Sequence, residues 1–100
     1  MTEQEILFEG RIARACVVPV GPVNLVFAVG ERGLLGCGAI DAGALQRFGY
    51  PAARVRPTTG SSIRTVDDLL DGEVTEANEA AEALGVTAGM TGRAALARLV

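Results

Sequence analysis

No histidine, lysine or tryptophan occurs in this 100-residue chain. Without histidine, neither a Ser-His-Asp triad nor a Cys-His pair can form, and the common zinc ligand sets are out of reach. Without lysine there is no amine for Schiff-base chemistry. Cysteine is almost as scarce: Cys16 and Cys37 stand far apart and make no CxxC. No signal-peptide pattern is present, nor any apolar run long enough to span a bilayer. These absences read as a cytoplasmic chain with free thiols, no metal and no cofactor. Aromatics are limited to Phe8, Phe27, Phe48 and Tyr50, too few for a base-stacking surface. The net charge is −3 and no basic run exists, so no phosphate backbone is expected as a partner. Neither nucleic acid nor membrane fits the composition.

What is present is apolar and aliphatic. Half of the residues are hydrophobic and about a fifth are charged, enough for one core and one domain spanning residues 1–100. Ile6–Phe8 is a short apolar stretch ending at a Glu9-Gly10 turn, and Arg11–Val18 closes on a β-branched pair, which predicts a hairpin. Pro19, Gly21 and Pro22 should break it. Val23–Val29 predicts a third strand. The turn Gly30–Gly33 follows, with glycine supplying positive φ, and then a glycine-rich strand over Leu34–Ala39. Asp41 can cap a helix over Ala42–Phe48, with Gly49 at its end. Ala52–Arg56 reads as a fifth strand and Pro57–Ser62 as a loop.

The last third turns helical. Thr65-Val66-Asp67-Asp68 is a capping box leading into Leu69-Leu70. Thr75 is expected to cap a helix over Glu76–Leu84, with Ala77, Ala80, Ala81 and Leu84 on one face. Thr91 is expected to cap Gly92–Leu99, with Ala95, Leu96 and Leu99 facing inward. Strands first and short helices afterwards predict an α+β class, an antiparallel β-meander with short helices packed on it.

Two segments carry possible chemistry. Gly33, Gly36 and Gly38 surround Cys37, and a helix is expected to start near Asp41. Glycine in a strand is tolerated where something approaches the backbone closely. Free N–H groups near a helix start could hold an anion or activate the thiol. Equally, free cysteine behaves as a small buried hydrophobe, and Asp41 is fully explained as a cap. The second segment is Thr58-Thr59-Gly60-Ser61-Ser62 with Arg54, Arg56 and Arg64, whose hydroxyls and guanidinium groups could cradle phosphate or carboxylate. A solvated loop explains it as well, and the lysine of a Walker A loop is missing. Cys16, on an early strand, reads as core. The candidate ligand-binding set is therefore Gly36, Cys37, Gly38, Asp41, Thr59 and Arg64.

Three runs in one order resemble a known family: Arg32-Gly-Leu-Leu-Gly-Cys-Gly-Ala-Ile-Asp41, Ser62-Ile-Arg-Thr-Val-Asp-Asp-Leu-Leu70, and Leu84-Gly-Val-Thr-Ala-Gly-Met-Thr-Gly-Arg-Ala-Ala-Leu96. They are similar to the YunC-like family, small bacterial and archaeal proteins of unknown function. Ser62-Ile63 stands where that family's pattern has Gly-Val. The resemblance implies a compact cytoplasmic α+β domain, with Cys37 and Asp41 at the family's cysteine and acid positions, and it implies no activity. Three functional classes stay open on the residues. The first is a homo-oligomeric structural or interaction module, since small residues permit close contact between copies. The second is a small-molecule or anion-binding domain around Cys37. The third is a thiol-dependent enzyme with Asp41 or another carboxylate as its base.

Overall fold

The computed structural model describes residues 1–100. β1 (Thr2–Phe8) and β2 (Arg11–Val20) form a hairpin across Glu9-Gly10, and β3 (Val23–Val29) folds back antiparallel on β2. β2 does not stop before Pro19. It continues to Val20, with Pro19 opposite Asn24 and the reversal made at Gly21-Pro22.

β4 (Leu34–Gly36) pairs antiparallel with β3, completing the expected meander of four strands. It is shorter than the Leu34–Ala39 strand read from the sequence. The turn before it is closed by the Gly30 N–H donating to Gly33 O at 2.8 Å. Its glycines do not serve positive φ, which neither Gly30 nor Gly33 adopts. They serve close approach instead: a side chain on Gly30 would strike the Leu99 carbonyl, and one on Gly33 the Pro51 carbonyl. The N–H groups of Arg32 and Gly33 both donate to Leu99 O, at 2.8 and 3.1 Å. The turn thus satisfies a helix-end carbonyl that the helix itself leaves free.

Asp41 caps α1 (Ala42–Gln46) as expected, its Oδ1 accepting from Ala44 N at 2.9 Å. The helix is one turn and a half, and the chain reverses at Gly49. β5 (Ala52–Arg56) then joins β4 in parallel. A parallel pair needs a crossover rather than a hairpin, and the segment carrying α1 supplies it.

The capping box at Thr65 is present and opens α2 (Val66–Asp71). The next expectation fails. Thr75 caps nothing; it lies in β6 (Glu73–Ala77), which pairs antiparallel with β5. The Val74-Thr75 pair is β-branched, and β5 would otherwise be left as an open edge beside a buried core. The cap moves to Asn78, whose Oδ1 accepts from Ala81 N at 2.9 Å, and α3 is reduced to Glu79–Glu82. Thr91 caps α4 (Gly92–Leu99) as expected. The result is an α+β domain with one six-stranded sheet in the order β1-β2-β3-β4-β5-β6, antiparallel except at β4–β5.

Strand side chains alternate between faces, and α2 and α4 cover one of them. Leu69, Leu70, Leu96 and Leu99 pack there on Val26, Ala28, Leu35, Val55 and Val74. Ala13, Ala15, Ala28 and Ala53, all fully buried, keep that face flat enough for the helices to sit close. Each fully buried leucine contributes about 1.5–3 kcal/mol. Ala95, Leu96 and Leu99 face inward as their spacing requires.

Candidate functional site

β4 is three residues long while its neighbours are not. It pairs only Phe27–Val29 of β3 and Ala52–Arg54 of β5. Beyond Gly36, therefore, Val23–Leu25 on one side and Val55–Arg56 on the other flank a gap with no strand between them. This gap lies at the carboxyl ends of the one parallel strand pair, where α/β sheets hold their ligands. It forms a cleft of about 390 Å³.

Cys37, Val55 and Ile63 line the cleft from below, and all three belong to the core. Asn24, Arg54, Ser61 and Ser62 form its polar rim. The backbone of Cys37 is fixed on both sides, its N–H donating to Val26 O at 3.0 Å and its carbonyl accepting from Ile40 N at 3.1 Å. The residue is only 6% exposed. It is thus both part of the core and part of the cleft wall. Gly38 is exposed at the mouth, and its carbonyl accepts a long bond of 3.4 Å from Arg54 Nη1.

The other expected site residues are distributed differently. Gly36 is buried away from the cleft, and a side chain there would run into Ile40. Its absence lets the chain fold back over the sheet. Asp41 is occupied as the α1 cap and does not line the cleft. α1 has five residues, too short for a substantial dipole at Cys37. Thr59 is exposed and does not reach the cleft. Arg64 acts at one remove. Its Nε donates to Ser62 Oγ at 3.2 Å, and its carbonyl accepts from Asn24 Nδ2 at 3.0 Å. The 57–64 loop is thereby tied to β3 across the gap.

Two polar residues of the lining are not read as site residues from the sequence: Asn24, and Thr75, which is expected there only as a helix cap. The register between β5 and β6 slips at Arg54/Val55, leaving Thr75 as an extra residue on β6. Such bulges re-aim side chains; here Thr75 Oγ donates to Arg54 O at 3.4 Å. Arg54 Nε lies 2.9 Å from a Glu76 carboxylate oxygen. The N–H is not aimed at that oxygen, and Nε is shut off from solvent without a hydrogen-bond partner. Arg56 pairs with Glu73 at 2.8 Å. No carboxylate lines the cleft itself, and no group of three His, Cys, Asp or Glu side chains gathers in the chain.

A family model described as a domain of unknown function, DUF1805, matches residues 36–99. The chain belongs to this family. It is 32% identical to the uncharacterized protein YunC of Bacillus subtilis over 99 residues, covering 95% of this chain and 93% of that protein. The YunC-like resemblance carried by the three runs is therefore established. The crystal structure of TA1206 from Thermoplasma acidophilum, a protein of unknown function, superposes with a TM-score of 0.87 at 25% identity, covering 99% of this chain and 92% of the other. The family is one of unknown function, and no relative named here brings an activity with it. The DUF1805 match begins at Gly36, so it takes in the cleft-lining Cys37 and Gly38, β5, and the 57–64 loop.

The DUF1805 domain has a second surface of interest. The segment carrying Ile40 and α1 covers the outer sheet face over β4 and β5. Over β1–β3 that face carries Leu7, Ile12, Val18, Leu25, Phe27 and Val29 with no helix on it. Leu7 is 71% and Ile12 53% exposed. Glu3, Glu5 and Arg14 share this face, with Arg14 Nε 3.6 Å from Glu3. No helix of the chain is long and apolar enough to cross a membrane.

Proposed function

We propose that this chain is a homo-oligomeric interaction module, joined to its copies through the outer face of β1–β3. The observation that carries the reading is that face: apolar side chains, Leu7 and Ile12 at one end and Val18, Leu25, Phe27 and Val29 beyond, crossed by Glu3, Glu5 and Arg14 and without a covering helix. A second copy is the occupant we favour, because the face carries charges of both signs that a two-fold contact can bring together. Glu3 and Glu5 stand on β1 and Arg14 on β2, and Glu5 has no ion pair within the chain. A two-fold axis brings the acidic strand of one copy against the arginine of the other, as an isologous contact requires. Edge-to-edge pairing of β1 is disfavoured, since charged residues on an edge strand guard it against that contact. The same reading places the module in the cytoplasm, where Cys16 and Cys37 stay unpaired.

Sedimentation equilibrium from about 1 to 100 µM tests it, a range that spans micromolar association. A multiple of the 10.3 kDa chain mass is expected, and Ile12→Glu should give the single-chain mass with an unchanged circular dichroism spectrum. A single-chain mass throughout for the unmodified protein, or an assembly that survives Ile12→Glu, overturns the reading.

A further inference from the structure

We infer that the cleft between β3 and β5 binds a small organic monocarboxylate, its carboxylate on Arg54 and its short apolar stem over Cys37, Val55 and Ile63. The volume sets the size. About 390 Å³ is at the lower end of small-molecule pockets, roughly 300–1,000 Å³, which suits a ligand of several heavy atoms and not a nucleotide. The lining sets the polarity. Three buried or core-packed side chains form the floor, and the polar groups sit only at the rim. The charges set the sign. Arg54 and Arg56 line the cleft, and no carboxylate does.

Arg54 is the anchor because its donors are underused. A guanidinium carries five N–H donors. Here one makes a 3.4 Å bond to Gly38 O, and Nε is shielded beside Glu76 without an aligned acceptor. A ligand carboxylate would take two parallel N–H donors, the arrangement guanidinium groups favour. Ser62 supplies a further donor. Its Oγ accepts from Arg64 Nε, which leaves its own O–H free to turn to the ligand. Carboxylate is favoured over phosphate by charge balance: Arg54 and Arg56 are each matched by Glu76 and Glu73. With the arginines facing the cleft and their partner carboxylates outside its lining, the remaining attraction suits one negative charge better than two.

The probes are butyrate and inorganic phosphate, titrated into the full chain and followed by backbone amide NMR shifts. Butyrate should move the amides of Gly38, Val55 and Ser62 and saturate with a Kd on the order of 1 mM. Arg54→Gln should weaken it at least about tenfold, the loss of a charged bidentate contact. Gly38→Leu is the second variant. Open space surrounds that position, so the fold should survive, and the added side chain should block the mouth. Butyrate should also slow iodoacetate alkylation of Cys37 while leaving Cys16 unaffected. Amides that do not move, shifts that persist unchanged in both variants, or phosphate binding tighter than butyrate overturn the inference. The chain mass, measured in the same samples, reports self-association separately.

Discussion

Asn78 and Ala52 exchange two hydrogen bonds: the Asn78 backbone N–H donates to Ala52 O at 3.0 Å, and the Ala52 N–H donates to Asn78 Oδ1 at 3.1 Å. The asparagine side chain continues outward. Its Oδ1 also accepts from Ala81 N at 2.9 Å, and its Nδ2 donates to Ala42 O at 3.0 Å and Tyr50 O at 2.8 Å. One buried amide therefore joins α1, β5 and α3 and uses all its hydrogen-bonding capacity. Asn78→Ala should cost about 3 kcal/mol, because several buried backbone groups lose their partner at once. Asn78→Asp should also destabilise, since an oxygen would then face two carbonyls. Urea denaturation measures both, and a loss below about 1 kcal/mol for the alanine variant contradicts the latch.

Gly36 and Ile40 make a second paired test. Gly36→Ala places a methyl against the Ile40 side chain and should destabilise by about 1–3 kcal/mol, the usual range for overpacking. Ile40→Ala in the same chain should recover part of that loss. A double-mutant cycle reads the coupling; additive effects would show that Ile40 does not occupy the space the glycine leaves.

The three threonines expected as caps should now separate. Thr65 Oγ accepts from Asp68 N and Thr91 Oγ from Ala94 N, both at 3.1 Å. Thr65→Ala and Thr91→Ala should each cost about 1 kcal/mol. Thr75→Ala, in an exposed position on β6, should stay within about 0.5 kcal/mol. Equal losses at all three positions in chemical denaturation would contradict the assignment of Thr75 to a strand.

Asp68 should make stability depend on pH in the acid range. Its carboxylate is held below the usual aspartate value, first by the Arg64 backbone N–H and then by Thr65, against an opposing desolvation effect. Oδ2 accepts from Arg64 N at 3.1 Å and Thr65 N at 3.2 Å. A carboxyl depressed in the folded state contributes stability above its unfolded value and loses it as pH falls through the folded value. The melting-temperature difference between the parent chain and Asp68→Asn should therefore shrink as pH falls through that window. A difference that stays constant with pH would rule out the carboxylate as its source.

The sequence by itself determined what depends on neighbours along the chain. The β1–β2 hairpin, β3, β5, the caps at Asp41, Thr65 and Thr91, and the inward face of α4 follow from turn residues, cap hydrogen bonds and periodicity. Each of these operates within a few residues. It also placed Cys37 and Gly38 in one candidate segment and the serines of the 57–64 loop in another. The sequence already joins these two segments in one candidate set; what only the tertiary structure decided is where a cleft opens between them, because it lies where β4 stops and β3 and β5 continue. It also decided that Glu73–Ala77 is a strand. Ala77, Ala80, Ala81 and Leu84 fit a helical face, but β5 needs an edge partner, and Asn78 both caps what remains and bonds Ala52 in β5. Asp41 and Gly36 leave the candidate site on contacts within four residues: the Asp41 carboxylate caps α1 at Ala44, and Ile40 fills the space beside Gly36. The strand at Glu73–Ala77 and the cleft beyond β4 are settled by contacts between distant residues, whose energies no local pattern carries.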